Sequence, residues 1–487
     1  MADAAAETWP DPVEWTGRIY SAGWRKSEGG AAQVSEPATG ERLAEVGVAA
    51  SADVARAGAL AALAQREWAQ TAPLERAGVL LRAAQALREH GDAIRDWIVR
   101  ESGGVPAKGD YEIAAGLSQL AQAAGLASLA RGEILTPVVP GQSSYASRVP
   151  LGVVAVINPW NAPLLFAMRV LAPALVLGNA VLLKPDPRTP VSGGVVVASL
   201  FEEAGLPEGL VHVLPGDAET GRMVVTDPHV AMVSFTGSTE AGRAVARAAG
   251  EGLKRVALEL GGKNSIVVLD DADVDAAAAA GAVSSFGYQG QACVAAGRHL
   301  VHTDIVGPYT EALIRHAGAL RVGDPRDKDV AIGPIISERQ AARIERIVDT
   351  SVSAGARVLA GGHRAGLFYP PTVLDHVQRN MPVFTEEIFG PVAPVVPFRT
   401  EAEAVEIAND TAYGLVAAVH SRSVPRATAV AEQLRTGMVH INDVCAKDAA
   451  NAPFGGMGAS GNGSRIGGTA NLEQFTQWRW TTAAPAA

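Results

Sequence analysis

The chain has 487 residues, 48 % hydrophobic and 19 % charged, with a formal net charge of −10 at pH 7 and a mean hydropathy of +0.13. That length and apolar content predict two or three domains with large buried cores, and exclude extensive disorder away from the ends. The acidic balance, with Lys and Arg dispersed, argues against nucleic acid or an anionic membrane as the main partner, and two cysteines cannot build a disulfide framework.

The start, Met1 to Pro10, is acidic and lacks the basic and apolar regions of a secretory signal. No uninterrupted apolar run approaches the roughly 18 residues of a membrane span, so the expectation is a soluble cytoplasmic protein. From Ser51 to about Ser102 apolar positions such as Val79, Leu80, Ala84, Leu87 and Ile94 recur at helical spacing, with a break near Thr71-Ala72-Pro73. From Val153 the pattern changes to short apolar strands alternating with helices. Val153–Ile157 is a strand, about Leu164 to Leu177 a helix ended by Gly178-Asn179, and Val181–Leu183 a strand. Val191–Ala204 reads as a helix and Val211–Leu214 as a strand. Ala231–Phe235 leads through Thr236-Gly237-Ser238 into a further helix, and Val256–Leu260 with Ser265–Leu269 close the series. A second alternation runs from about Asp271 to Gly437, giving two α/β units with a boundary near Leu260-Gly261-Gly262. Such a pattern predicts doubly wound parallel sheets that bind ligands beyond the carboxyl ends of their strands. The tail from Phe475 to Trp480 alternates aromatic and polar residues, like an edge strand seeking a partner.

Several loops at those strand ends carry chemistry. Cys293 lies among glycines and glutamines, in Gly290-Gln291-Ala292-Cys293, and reads as a nucleophile whose thiol local dipoles or charges can make more acidic, or else as a small buried hydrophobe. Glu259, flanked by Leu258 and Leu260, is either a solvated strand-end carboxylate or a general base raised by burial. Asn161, between Pro159 and Pro163, marks a turn or donates to a developing oxyanion. Gly237 and Ser238 open a helix, as a phosphate-binding turn or a plain N-cap; the spacing to Gly242 is not that of the usual dinucleotide fingerprint. Lys184 follows a strand and offers a cation to ribose or phosphate. Glu386, Glu387 and Phe389 share a loop that reads either way.

In this order, Pro159-Trp160-Asn161, Lys184-Pro185, Phe235-Thr236-Gly237-Ser238, Glu259-Leu260-Gly261-Gly262-Lys263, Gly290-Gln291-Ala292-Cys293, Glu386 through Pro391 and Pro453-Phe454-Gly455-Gly456 resemble the aldehyde dehydrogenase superfamily over nearly the whole chain. The texture of Asn161–Pro173 and Lys184–Pro190 looks like its benzaldehyde and vanillin dehydrogenase branch. The resemblance implies NAD(P)-dependent oxidation of an aromatic aldehyde to its acid, with Cys293 as nucleophile, Glu259 as general base and Asn161 as oxyanion donor. It places Trp160, Lys184, Pro187, Arg188, Gly237, Ser238, Glu387 and Phe389 on NAD or NADP. Ala162, Phe166 and Arg169 fall beside the substrate tunnel, where Arg169 either meets a ring hydroxyl or caps a carboxylate; Val444–Ala450 would supply the far wall. The family architecture implies an NAD(P)-binding domain (1–128 and 151–259), a catalytic domain (260–470) and a β extension (129–150 and 471–487). Through that extension a homodimer or homotetramer would form, the Trp478–Trp480 edge pairing with another subunit. No metal site is expected.

One position departs from the family. Where many NAD-preferring members carry a ribose-binding glutamate, this chain has Pro187 followed by Arg188. With nothing anionic left to repel a 2′-phosphate, use of both NAD⁺ and NADP⁺ is expected. Rival readings are an aliphatic or semialdehyde dehydrogenase, a coenzyme A-acylating enzyme, which would lack Glu259, and a non-catalytic protein with the same fold.

Overall fold

A computed structural model describes residues 9–484. The sequence reading of the N-terminal stretch therefore falls largely on residues 1–8, outside the described residues, as do residues 485–487 of the tail.

Two seven-stranded sheets organise the chain. The first runs, in spatial order, Arg255–Glu259, Val230–Thr236, Val153–Ile157, Ala180–Lys184, Val211–Val213, Arg18–Ser21 and Trp24–Lys26. Its first five strands are parallel; the two N-terminal strands add an antiparallel margin. Val153–Ile157 and Ala180–Lys184 are buried at every position, the signature of strands covered on both faces. The helices Ser51–Gln70, Pro73–Glu89, Gly91–Ser102 and Pro106–Gly125 precede them. Helix Pro163–Val176 is buried throughout and begins on a proline, whose missing N–H costs nothing at a helix start. The expected helix from Val191 to Ala204 is not uniform: Val191–Val195 is wound as a π-helix before the α-helix Val196–Glu203.

The second sheet runs Arg357–Ala360, Thr372–Asp375, Val392–Phe398, Ala296–His302, Asn264–Val268, Val416–His420 and Met438–Ile441. All its pairings are parallel except that of Arg357–Ala360 with Thr372–Asp375. Along Asn264–Val268 the side chains alternate between two cores, Ile266 and Val268 in one and Val267 in the other, as a sheet with helices on both faces requires. The expectation that Ser265–Leu269 closes the first series is thereby corrected. After Glu259 the chain leaves one sheet and enters the other within the four residues Leu260–Lys263.

A three-stranded sheet joins Thr476–Ala483, Ser143–Pro150 and Gly132–Ile134. The aromatic tail finds its partner inside its own chain, Trp478 standing opposite Arg148, whose guanidinium lies 4.1 Å from the indole centroid. Its outer edge stays open, with Trp478 and Trp480 exposed.

Candidate active site

Paired residues in the first sheet bring the loops to one level: Ile157 stands opposite both Phe235 and Lys184, and Thr236 opposite Glu259. The loops that follow therefore open on the same side. With segments from the second sheet they line a cleft of about 530 Å³. Trp160, Asn161, Phe166, Arg188, Gly237, Ser238, Glu259, Cys293, Glu387 and Phe389 all reach its wall. Lys184 sits buried at its strand end, half-buried Ala162 and buried Arg169 are next to lining residues without lining the cleft themselves, and Pro187 is exposed outside it.

Asn161 is 5 % exposed and immediately precedes helix Pro163–Val176. The first free N–H groups of that helix, on Leu164 and Leu165, donate to Glu112 Oε2 at 3.0 and 3.2 Å, and Glu112 is ion-paired with Lys108. A buried carboxylate thus fixes the turn that presents the asparagine. Trp160 meets Phe389 edge-on at 5.4 Å between centroids. Ser238 caps helix Thr239–Glu251 by accepting from the Ala241 N–H, leaving that N-terminus facing the cleft.

Glu259 is 4 % exposed, and neither carboxylate oxygen has a hydrogen-bond partner. Burial pushes its pKa up to about 8, against the opposing pull of Arg169 and Arg465. A carboxyl so placed exchanges its proton near neutrality, as a general base must. Glycine is required beside it: a Cβ on Gly455, whose φ is +155°, would stand 2.9 Å from Glu259 Oε1.

Cys293 follows a strained turn in which Tyr288, Gln289 and Gly290 have φ of 50, 55 and 64°. A side chain at Gly290 would strike the Gly390 carbonyl. Strain of this kind persists only where surroundings enforce it. Gln289 Nε2 donates to the carbonyls of Gly103 (2.7 Å) and Pro334 (3.0 Å), and Gln291 Oε1 accepts from Ile336 N. On the far side Asn264 Nδ2 donates to the carbonyls of Cys293 (2.7 Å) and Ala295 (2.8 Å). The loop is held from both ends, and the thiol keeps partial exposure to the cleft. The expectation of an acidic thiol is corrected: burial pushes Cys293 up to about 12, aided by Glu387, Glu259 and Asp448, with Arg169 opposing. In this state the Cys293 thiol is protonated.

Glu387 Oε1 accepts from Gly262 N at 2.9 Å, whereas Glu386 pairs outward with Arg346. Arg188 lies 5.0 Å from the Trp160 centroid and is forked onto Asp186 at 2.7 and 2.8 Å. Position 187 itself is non-anionic, but Asp186 folds back onto Arg188, so the guanidinium is not free. Of the two roles expected for Arg169, the carboxylate partner is present: it is paired with Asp448 and lies over the rings of Phe166 (5.2 Å) and Phe454 (4.4 Å). Asn264, Glu112, Asp448 and Gly455 escaped the sequence reading. Gly455 lay in a quoted motif and Asp448 in the far-wall segment Val444–Ala450, but neither was singled out, and nothing local marks their partners, which lie 52 to 279 residues away for Glu112 and Asp448. A second cavity of about 20 Å³ beside Lys263 and Arg298 is water-sized. Among the described residues no His, Cys, Asp and Glu group is placed to hold a metal ion, and no helix is long and apolar enough to cross a membrane.

The aldehyde dehydrogenase family model matches residues 24–481. A vanillin dehydrogenase of Amycolatopsis sp. is 49 % identical over 473 residues, 97 % of each chain. A benzaldehyde dehydrogenase [NAD(+)] of Pseudomonas putida is 47 % identical over 474 residues, again 97 % of each. Among solved structures, an E. coli NADP dependent enzyme superposes with a TM-score of 0.94 at 33 % identity, covering 98 % of this chain and 100 % of that one. Betaine aldehyde dehydrogenase from Staphylococcus aureus in complex with NAD⁺ gives 0.93 at 32 %, covering 96 and 95 %.

Proposed function

The chain belongs to the aldehyde dehydrogenase family, and from that premise we propose that it oxidises aromatic aldehydes to carboxylic acids with NAD⁺ or NADP⁺. The observation that carries the aromatic assignment is Phe166, which lines the same cleft as Cys293 and Glu259. Ala162, one turn earlier on the loop, keeps only a methyl group where a bulkier residue would crowd a flat ring. An offset or edge contact between rings contributes about 0.5–1.5 kcal/mol beyond area burial. The vanillin and benzaldehyde dehydrogenases above support the same reading.

The cleft suits a dinucleotide by its size and its donors. The Ser238-capped helix N-terminus would receive the pyrophosphate, Lys184 and Glu387 the two riboses, and the Trp160–Phe389 pair would flank the nicotinamide, with Gly237 allowing close backbone approach. When bound, the nicotinamide supplies the hydride acceptor. The chain's own residues do the rest. Glu259 in its ionised form receives the Cys293 proton, directly or through water, and the sulfur adds to the aldehyde carbon. The resulting alkoxide of the thiohemiacetal is held by the Asn161 amide and the Cys293 N–H. Loss of hydride from that carbon leaves a thioester on Cys293. Glu259, once it has released that first proton to solvent, takes a proton from water; the resulting hydroxide adds to the thioester carbon, the C–S bond breaks, and the proton returns from Glu259 to sulfur, so that the acid departs and the Cys293 thiol is regenerated. Glu259 is what a coenzyme A-acylating enzyme would lack.

Arg188 pairs with Asp186, so we propose use of both cofactors with Asp186 moderating the attraction of Arg188 for a 2′-phosphate. The open edge of Thr476–Ala483 is proposed as the seam of a homodimer or homotetramer, and two free cysteines suit the cytoplasm. The test is kcat/KM for benzaldehyde, vanillin, acetaldehyde, hexanal and succinic semialdehyde, followed at 340 nm. Both aromatics should lead, by a graded margin; an aliphatic aldehyde ahead of both would overturn the aromatic assignment.

A further inference from the structure

The ion pair Arg169–Asp448 stands directly behind the reacting groups and takes no part in the steps above. Arg169 is 3 % exposed, on the helix that begins just after Asn161. Its guanidinium is sandwiched between Phe166 and Phe454, and both rings connect it to the chemistry. Phe166 lines the cleft beside Cys293 and Glu259. Phe454 is followed by Gly455, whose Cα packs against the Glu259 carboxylate so closely that a methyl group there would lie 2.9 Å from Oε1. Aromatic faces strip water from the guanidinium, and a charge so desolvated acts over a longer range than one on the surface.

The charges facing the two reacting groups are few. Arg169, Glu387, Glu259 and Asp448 act on the Cys293 thiol, and Arg169 and Arg465 on Glu259. Arg465 is committed to the carbonyls of Gly456 and Ser464. Tyr111 lies within reach of Asp448, Arg169 and Cys293 but is neutral at working pH, its hydroxyl pushed up by burial and by Asp448. Arg169 is therefore a cation that acts on both nucleophile and base.

We propose, resting on the assignment of Cys293 as nucleophile and Glu259 as base, that Arg169 is a positioning residue whose charge favours the thiolate and the carboxylate alike, and that Asp448 sets how much of that charge reaches them. Burial disfavours both ionised forms, and the two repel each other, so a cation between their backing rings relieves three penalties at once. The Asp448 partner keeps the guanidinium from being a lone buried charge and holds it behind the wall instead of in the substrate's path.

The test uses the full-length protein with Arg169→Gln and Asp448→Asn, whose effects must have opposite signs. The first readout is the rate of iodoacetamide alkylation of Cys293 at pH 8.5, located by mass spectrometry, which reports thiolate population without any turnover. The second is the pH profile of kcat for benzaldehyde. Arg169→Gln should slow alkylation about threefold or more and move the rising limb of kcat up by about half a pH unit. Asp448→Asn should do the reverse, and Arg169→Lys should recover part of the loss. Changes of the same sign in both variants, or none in either, overturn the proposal. If Arg169→Gln does not fold, Asp448→Asn decides alone, slower or unchanged alkylation being the refuting result. Opposite alkylation changes in a protein that forms no acyl adduct on Cys293 would support the charge role while refuting the catalytic assignment on which it was built.

Discussion

Replacing Glu259 with glutamine should make the protein's stability respond less to alkaline pH. In the folded chain burial raises the Glu259 pKa from 4.5 to about 8. The native state therefore holds a proton that the unfolded state gives up, at every pH between those values. Wherever the native state binds more protons, stability falls as pH rises. The full cost of the ionised carboxylate is absent below about 4.5 and complete above about 8. At 1.36 kcal/mol per pH unit the rise corresponds to about 5 kcal/mol. An unfolding entropy of roughly 2.1 cal/mol/K per residue gives about 1 kcal/mol/K for a chain this long, so the expected effect on Tm is about 5 °C. Glutamine keeps the shape and cannot ionise, so any packing change it brings is the same at every pH. Thermal melts of wild type and Glu259→Gln at pH 5, 7 and 9, at one scan rate, give the comparison. Because pH 5 already lies above 4.5, the variant should gain on wild type by about 4 °C between pH 5 and 9. Parallel Tm profiles would refute the buried, unpaired carboxylate and with it the physical basis for a base active near neutrality.

Cys293→Ala should abolish turnover while leaving NAD⁺ affinity, read by fluorescence titration, within about twofold, whereas Cys445→Ser, buried in a core beside the second sheet and not lining the cleft, should keep the mechanism; substantial turnover in the alanine variant would contradict the nucleophile assignment. Asp186→Asn frees Arg188 and should raise kcat/KM for NADP⁺ relative to NAD⁺ by about tenfold; an unchanged ratio would show that Arg188 does not meet the 2′-phosphate. Ala162→Phe should reduce kcat/KM for benzaldehyde and vanillin by about 10-fold or more while sparing acetaldehyde, and an equal loss for all three would remove Ala162 from the specificity argument.

Much of this architecture was legible because buried parallel strands write themselves as unbroken apolar runs. Val153–Ile157 and Ala180–Lys184 are fully buried, and their sequence carries no alternation to misread. The loops after them could be read as one crevice because topology alone sends the carboxyl ends of parallel strands the same way. What stayed hidden was set by long-range packing. Ser265–Leu269 has the same apolar texture as the first sheet's strands, and only its partners, Ala296–His302 and Val416–His420, place it in the second. The π-wound turn at Val191–Val195 coincides with the buried Glu101 carboxylate accepting from the Val191 and Ser192 N–H groups, 90 and 91 residues away in sequence. The thiol of Cys293 was read from its local dipoles, but its environment is set by desolvation first, then by Arg169 opposing it, and by carboxylates from three other segments. Asp186 was overlooked beside Arg188 because two neighbours in sequence gave no sign that the turn would fold one onto the other.

The central claim, that Cys293 carries the acyl group and Glu259 releases it, is tested most directly by mixing Glu259→Gln with benzaldehyde and NAD⁺ and taking the mass of the quenched protein. The account requires at most one equivalent of reduced cofactor per active site and a benzoyl adduct on Cys293, with steady-state turnover down by about 10²–10⁴-fold. Steady turnover near the wild-type rate, with no adduct on Cys293, would contradict it.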